Sequence, residues 1–340
     1  MHAMKRILVV LFGLCLSHAA FAMQSVDPYQ LTVPASGQLS QDQQSAFKLL
    51  IERLTGDDKA LDNQAIADAL SHAGEYLQQY SYQNSQAHQQ LLATFNRSQI
   101  ETLLTQAGIA FWAQVRPTIL VWYASEQQNQ RQIDADGSAS ATALQQQAKN
   151  LALPMIFPIM DLDDSMAVSV SDVWGEFNQP IIKASRRYGA DIALTVKSYL
   201  DNGATHLSWQ LLDVHQGQLI NSGDLRDDNS TDNAANLTSQ MLKQIASQLA
   251  ARYAVVRSVN SDSQIILSFA HIDNFTQYQH LYKFLMNQPS VGQVNLQQVS
   301  AGQYQFEVHL VGPWQSLQSA LELDDNYTPI VGVPYHYDVQ

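Results

Sequence analysis

The sequence predicts a mixed α/β and α+β protein of three small domains behind a cleavable leader. Segments with helical periodicity alternate with short apolar segments, and two fully apolar runs in the middle of the chain are typical of core strands. After a polar linker, the last part of the chain reads strand-helix-strand-strand-helix-strand. The predicted limits are a leader over 1–22, an N-terminal α+β domain over 23–113, a central α/β domain over 114–256 and a C-terminal domain over 257–340.

The first 22 residues have the pattern of a secretory signal peptide. Lys5 and Arg6 supply the positive charge, residues 7–16 are apolar, and Ala20-Phe21-Ala22 is an A-x-A cleavage signature. Cleavage after Ala22 would make the protein periplasmic or secreted. The apolar run is shorter than the roughly 20 residues of a membrane span. No later segment is as apolar without a charge or proline, so no transmembrane segment is expected after the signal peptide.

Cys15 is the only cysteine of the chain. A lipoprotein anchor at Cys15 is disfavoured, because Leu14 precedes it where a lipoprotein signal has a small residue. Cleavage after Ala22 leaves a chain without cysteine, which needs no disulfide bond. A thiol nucleophile and a zinc–thiolate site are thereby excluded from the processed chain.

The chain is strongly acidic. Loss of residues 1–22 removes two of the 18 Lys and Arg and none of the 31 Asp and Glu, which leaves 16 basic residues and a net charge of −15. Nucleic acids and anionic lipid headgroups are bound by basic patches. The sequence therefore predicts no nucleic-acid partner and no attachment to an anionic membrane surface.

The N-terminal domain is predicted to combine strands and helices. The pattern indicates strands over 27–33, 75–83 and 88–95. It indicates one helix over 40–55, a second that begins at residue 63, and a third that begins near residue 96 or 98 and ends at Gly108. Tyr76, Tyr80 and Tyr82 stand among glutamines within this region. The favoured interpretation is a strand whose aromatic rings pack on the core. The alternative is an exposed aromatic platform for a glycan or a peptide.

The central domain is predicted to be a mixed sheet flanked by helices. Residues 118–124 and 154–160 are its apolar strands, with a polar loop over 126–137 and a helix over 138–153. A short helix ends at Gly189. A three-stranded antiparallel meander then covers 191–225, and a long amphipathic helix with apolar residues from Leu237 to Tyr253 lies across one face of the sheet.

The C-terminal domain is predicted to be ferredoxin-like. Strands at 264–270, 291–299, 303–311 and 330–339 alternate with helices at 274–286 and 313–321, which gives the order βαββαβ. This fold carries many unrelated activities, so it identifies no function.

One acidic cluster is the candidate ligand-binding site. Asp161, Asp163 and Asp164 follow the second apolar strand, and Glu126 follows the first. In open α/β sheets, ligands bind at the carboxyl ends of neighbouring strands. Their oxygens are of the kind that holds Ca²⁺ or Mg²⁺.

The favoured interpretation of this cluster is structural: a solvated loop whose aspartates cap a turn and accept hydrogen bonds from local amides. The spacing of a calcium loop is missing, and no two histidines stand at H-x-x-x-H spacing. No phosphate-binding glycine loop and no G-x-S-x-G elbow is present. The sequence therefore predicts no catalytic residue, no metal and no cofactor.

Several segments resemble those of one protein family. They are Glu52–Asp57, Tyr80–Tyr82, Arg116–Trp122, Leu153–Asp164 and Arg186–Asp191. In these the chain is similar to the exported gammaproteobacterial proteins grouped as domain-of-unknown-function family 2066. The family has no established activity, so the resemblance assigns no catalytic residue. The element order of the central domain also resembles the modules of curli-secretion and Tol-type periplasmic proteins, which bind other envelope proteins.

The leading functional hypothesis is a non-enzymatic scaffold that binds another protein of the cell envelope. One alternative is a binder of glycans or small molecules that uses the three tyrosines. Another is a hydrolase that uses Asp161, Asp163 and Asp164. The sequence names neither the partner nor the oligomeric state.

Overall fold

A computed structural model describes residues 27–85, 88–112, 116–128, 130–227, 234–257, 263–300, 302–324 and 326–340. Within these ranges the chain forms ten α-helices and three β-sheets, which confirms the predicted mixed fold. The predicted signal peptide, its cleavage site and Cys15 lie outside the described residues. The described part of the chain contains no helix with the length and apolar character of a membrane span.

The N-terminal sheet has the antiparallel order β1-β3-β2 and packs against helices. Its core is formed by residues such as Phe47, Leu50 and Leu91, which are fully buried because each lies on the apolar face of its element. Asn63 and Asn96 cap the second and third helices through their side chains. The elements are β1 Gln30–Pro34, α1 Leu39–Thr55, α2 Gln64–Ser71, β2 Leu77–Ser85, β3 His88–Phe95 and α3 Arg97–Gln106.

The central sheet has the order β5-β4-β7-β8-β9, and β6 pairs with the beginning of β4. The pairs β4/β7 and β4/β6 are parallel and the others are antiparallel. The elements are β4 Ile119–Gln127, β5 Gln130–Asp134, α4 Ala139–Asn150, β6 Met155–Ile156, α5 Leu162–Ala167, α6 Val170–Trp174, α7 Asn178–Ser185, β7 Ile192–Asp201, β8 Ala204–Asp213, β9 Gln218–Asp227 and α8 Ala234–Tyr253.

Both faces of the central sheet are covered, as its continuous apolar strands predict. Ile119 and Val121 of β4 face a core shared with α4 and α8. The alternate residues Leu120 and Trp122 face a second core shared with α6 and α7. The predicted meander is present as β7, β8 and β9.

Two details of the central prediction are wrong. Residues 126–137 are not a loop, since the end of β4 and β5 form a hairpin in which Glu126 is paired with Arg131. The strand predicted over 154–160 is limited to Met155–Ile156. Pro154 and Pro158 bound it closely, and proline removes the backbone donor that a longer ladder needs.

The C-terminal sheet has the order β11-β12-β10-β14-β13. The pair β10/β14 is parallel, and Phe269, Phe306 and Leu285 belong to the core between sheet and helices. The strand predicted over 330–339 is limited to β14, and β13 is an additional edge strand that precedes the predicted range. The ferredoxin-like assignment stays a prediction. The elements are β10 Ser263–Ala270, α9 Phe275–Met286, β11 Val291–Ser300, β12 Gln303–Leu310, α10 Trp314–Glu322, β13 Tyr327–Pro329 and β14 His336–Val339.

A buried arginine joins the N-terminal and central sheets. The Arg116 guanidinium lies 4.1 Å from the centroid of the Trp112 ring and donates to the backbone oxygens of Arg53, at 2.5 Å, and Leu151, at 3.4 Å. Burial is the main reason why the pKa of Arg116 is lowered to about 9. No carboxylate is among the acceptors described for it, so its hydrogen bonds go to backbone carbonyls.

The end of α1 also fixes this junction. Gly56 has φ 84°, and its N–H donates to the Glu52 carbonyl, which ends the helix in the left-handed conformation. A Cβ at this position would collide with Ala250 Cβ and lie 2.8 Å from the Ala246 oxygen, both on α8. Only glycine permits this approach of α1 to α8.

Candidate functional site

The candidate site is the acidic segment, residues 159–166, with Arg187 and Tyr188. After β6 the chain passes Pro158 and turns at Met160, whose φ of 55° is unusual for a residue with a side chain. Asp161 then caps α5, because its Oδ1 accepts a 2.9 Å hydrogen bond from the Asp164 N–H. The aspartates therefore first of all build the turn and the start of the helix.

Asp164 is the buried centre of the segment. Its Oδ2 accepts hydrogen bonds from the Tyr188 hydroxyl at 2.5 Å and the Met160 N–H at 3.0 Å. Its Oδ1 accepts one from Arg187 at 2.8 Å. Burial and the hydrogen bond to Asp164 raise the pKa of Tyr188 to about 12, so the phenol remains a donor at neutral pH. The Tyr188 oxygen in turn accepts the Ile159 N–H at 3.0 Å.

Arg187 binds two carboxylates at once. One of its amino groups lies 2.8 Å from both Asp161 Oδ1 and Asp164 Oδ1, and the other contacts Asp161 Oδ2. Hydrogen bonds from Arg187 hold the pKa of Asp161 well below its usual range, and the same bonds raise the pKa of Arg187. Asp161 is therefore ionised at any physiological pH and is unsuited to act as a general acid.

The four predicted site residues do not form one cluster. Glu126 accepts a 2.7 Å hydrogen bond from Arg131 across the β4–β5 hairpin. It lies six residues, or about 20 Å of strand, beyond Leu120, the residue of β4 that pairs with the end of β6. Asp163 is exposed, and among the described residues its carboxylate has no hydrogen-bond or ion-pair partner. A ligand-binding role for the four residues stays a prediction.

The aspartates of the acidic segment have a structural role. Asp161 and Asp164 already accept hydrogen bonds on all four of their carboxylate oxygens. In the described ranges, no group of three or more His, Cys, Asp and Glu side chains is arranged to hold a metal ion. The bonds hold residues 159–164 in a defined conformation and leave no free base among these two aspartates.

The acidic segment also exposes apolar side chains to solvent. Leu162 is 74% exposed and Met166 is 78% exposed, and the two lie one turn apart on the same face of α5. Ile159, which precedes the turn, is also more than half exposed. We call Ile159, Leu162 and Met166 the apolar ridge. Exposed apolar side chains that stand close together mark interaction surfaces more often than single ones do.

Sequence reasoning missed Arg187 and Tyr188 as members of this site. A basic residue near the carboxyl end of a helix, such as Arg187, complements the helix dipole without any ligand, so its position alone does not indicate a site. The available signal was the resemblance itself, because Arg186–Asp191 and Leu153–Asp164 were both among the segments that carry it.

The three tyrosines do not form one platform. Tyr76 packs against Phe47, with ring centroids 5.7 Å apart. Tyr80 and Tyr82 lie on β2 and are 48% and 39% exposed, so the prediction that they pack into the core is wrong for these two. The Tyr82 hydroxyl donates a 2.9 Å hydrogen bond to the buried Asp42 carboxylate.

The model of one family, described as a domain of unknown function (DUF8605), matches residues 22–113. The match covers less than half of the chain. No curated protein matches the chain.

Several solved structures resemble part of the chain. The C-terminal domain of LpoB from Salmonella enterica is 22% identical over 33% of this chain and 82% of its own, with a TM-score of 0.23. Lipoprotein GNA1162 from Neisseria meningitidis is 16% identical over 38% of this chain and 97% of its own, with a TM-score of 0.26. TolB from Acinetobacter baumannii is 12% identical over 47% of this chain and 33% of its own, with a TM-score of 0.25. These resemblances are distant, and scores of this size carry no argument about function.

Proposed function

We propose that the protein is exported to the cell envelope and binds another protein there, without catalysis, through the apolar ridge. The observation that carries the proposal is the exposure of Leu162 and Met166 on a segment that internal hydrogen bonds hold in place. An exposed apolar surface on a preformed segment binds a partner at a low cost in conformational entropy.

The charge around the ridge indicates the chemistry of the partner. Asp163 is exposed between Leu162 and Met166 in sequence, and Arg187 is neutralised by Asp161 and Asp164. The surface is therefore apolar with a net negative charge at its margin. A complementary partner has apolar side chains flanked by Lys or Arg.

Export is supported by the composition of residues 1–22. Cell fractionation is expected to place the protein in the periplasmic fraction or the medium. Amino-terminal sequencing of that protein is expected to begin at Met23. A cytoplasmic protein that retains Met1 would contradict the export part of the proposal.

Photo-crosslinking from two leucines of similar exposure, one inside the ridge and one outside it, tests the binding part of the proposal. A photo-crosslinking amino acid replaces Leu162 in one strain and Leu200 in another; Leu200 is 68% exposed and lies on β7, outside the ridge. Irradiated cells are expected to give a discrete adduct of one identified envelope protein from position 162 only. The adduct is expected to disappear when Met166→Glu is added, because a charge then replaces an apolar contact.

Two outcomes would contradict the binding proposal. One is the same set of adducts from positions 162 and 200, which indicates random collision. The other is an adduct from position 162 that Met166→Glu leaves unchanged, since the ridge would then not be the contact. Circular dichroism of the purified variants checks that each one folds.

We also infer that the chain belongs with family 2066 and that its domain limits lie near residues 113 and 256. The segments that carry the family resemblance support the first inference. The second is supported by three separate sheets, each with its own core.

A further inference from the structure

The strand β2 is an exposed edge. It is the last strand in the order β1-β3-β2, and its outer side has no partner strand among the described residues. Every residue from Gln78 to Asn84 is exposed. The backbone N–H and C=O groups that point outward from such an edge are free to pair with another strand.

The edge of β2 lacks the features that usually prevent pairing. It carries no charged residue and no proline. By contrast, the edge strand β9 carries Asp224, Arg226 and Asp227. The edge strand β11 is also uncharged, but two register shifts interrupt it. The ladder between β2 and β3 runs without a shift from Gln79 to Ser85, so this part of the edge is regular.

The sequence of β2 is symmetric about Ser81. Residues 79–83 read Gln-Tyr-Ser-Tyr-Gln in both directions, and the flanking Gln78 and Asn84 are both carboxamides. In an antiparallel pair of identical strands, a two-fold axis at residue 81 places each residue opposite its mirror position. A palindromic strand therefore meets the same chemistry at every position of its own copy.

We propose that two copies of the protein pair through β2, antiparallel and with the two-fold axis at Ser81, to form a continuous six-stranded sheet. Tyr80 then lies opposite Tyr82 of the partner subunit, and Gln79 lies opposite Gln83 of the partner subunit. Directly opposed aromatic residues in antiparallel strands stabilise the pair. The ring surface that Tyr80 and Tyr82 expose in one copy becomes buried in two.

The charge of the chain favours this edge over others for self-association. With a net charge of −13, two copies repel each other, and an uncharged edge adds no like-charge contact along the seam. The paired segment spans seven residues, or about 24 Å. It buries less than the roughly 800 Å² per partner of a standard stable interface. We therefore expect a dimer that dissociates on dilution.

Disulfide trapping tests the register. The full chain with Cys15→Ser carries Ser81→Cys as its only cysteine. Opposed residues of an antiparallel pair have Cα atoms about 4.5–5.5 Å apart, which is within the reach of a disulfide bond. Mild oxidation is expected to give a covalent dimer. Gln79→Cys alone is expected to give none, because its mirror position is residue 83, whereas a mixture of Gln79→Cys and Gln83→Cys chains is expected to cross-link.

The matched control is Ser222→Cys, at an exposed position of the edge strand β9. If Ser222→Cys, or Gln79→Cys alone, cross-links as readily as Ser81→Cys, the disulfides report collision and the proposal fails.

Sedimentation of unmodified and charged chains tests the dimer itself. The wild-type chain is expected to shift from monomer to dimer as its concentration rises. Ser81→Lys and Ser81→Glu are each expected to remain monomeric, because like charges lie directly opposite at the axis. An equimolar mixture of the two variants is expected to restore the dimer. A wild-type chain that stays monomeric at about 100 µM, or a mixture that stays monomeric although both variants fold, would overturn the proposal.

Discussion

The acidic segment and the junction at Trp112 are each organised by one guanidinium, but its hydrogen-bond acceptors differ. Arg187 is 41% exposed and binds the carboxylates of Asp161 and Asp164. Arg116 is buried and donates to backbone carbonyls beside the Trp112 ring. Ion pairing raises the pKa of Arg187, whereas burial lowers the pKa of Arg116.

This difference indicates where each region gets its stability. Water screens the charges around Arg187, so its ion pair with the half-exposed Asp161 contributes little, and the buried Asp164 is the more important partner. The hydrogen bonds from Arg116 to the carbonyls of Arg53 and Leu151 are buried, so these carbonyls depend on the guanidinium as their donor. We expect substitutions at the junction to lower the free energy of unfolding more than substitutions at the surface of the acidic segment.

The largest effect is expected from Arg116→Ala. The variant loses the packing on Trp112 and leaves the carbonyls of Arg53 and Leu151 without this donor, so the free energy of unfolding should fall by about 3–5 kcal/mol. Urea denaturation measures this change. Arg116→Met restores part of the packing without the hydrogen bonds. Its free energy of unfolding is expected to lie between those of the wild type and Arg116→Ala. Wild-type stability in Arg116→Met would show that the carbonyl contacts contribute nothing.

The second largest loss of stability is expected from Asp164→Asn. The amide keeps one acceptor oxygen where the carboxylate served Tyr188, Met160 and Arg187, so the loss should be about 2–3 kcal/mol. The same urea titration measures it. A loss as large as that of Arg116→Ala would show that one buried carboxylate stabilises the acidic segment as much as Arg116 stabilises the junction, although the segment is more exposed to water.

Tyr188→Phe isolates a single link of the acidic segment. It removes the hydroxyl that donates to Asp164 and accepts from Ile159, and the expected loss is about 1 kcal/mol. Thermal unfolding at several urea concentrations resolves a change of this size. The ridge crosslink from position 162 is expected to weaken too, because the turn at Met160 is then less firmly held.

Asp161→Asn is expected to have the smallest effect at neutral pH, and a characteristic pH dependence. The folded-state pKa of Asp161 is depressed below its unfolded value of about 3.9. Its contribution is therefore fully present above about pH 5 and is lost as the pH falls through the folded pKa. The difference in melting temperature between wild type and Asp161→Asn should be constant above about pH 5, begin to narrow between about pH 5 and pH 3, and narrow further at lower pH. A difference that stays constant over this range would contradict the role given to Asp161.

Local sequence patterns predicted much of the fold. The run 118–124 is apolar at successive positions, which correctly indicated a strand covered on both faces. The β4–β5 hairpin was missed because residues 126–132 are all polar and contain no glycine for a two-residue turn. The last strand was predicted to begin too early because Val331 and Val333, although apolar, lie in an exposed loop before β14.

Only the contacts between sequence neighbours in the candidate site were predicted from the sequence. That Asp161 caps a turn follows from neighbouring residues, and this was the favoured interpretation. The bonds from Arg187 span 26 residues to Asp161 and 23 to Asp164, and no spacing rule encodes such contacts. The exposure of Tyr80 and Tyr82 was missed for the same reason, since the alternation of a strand does not reveal which edge of a sheet it occupies.

The close approach at Gly56 bears on how the molecule moves. With α1 and α8 in backbone contact there, the N-terminal and central sheets have little freedom to swing as if on a hinge. Any side chain at position 56 would push α1 and α8 apart and disturb the packing of both domains at once.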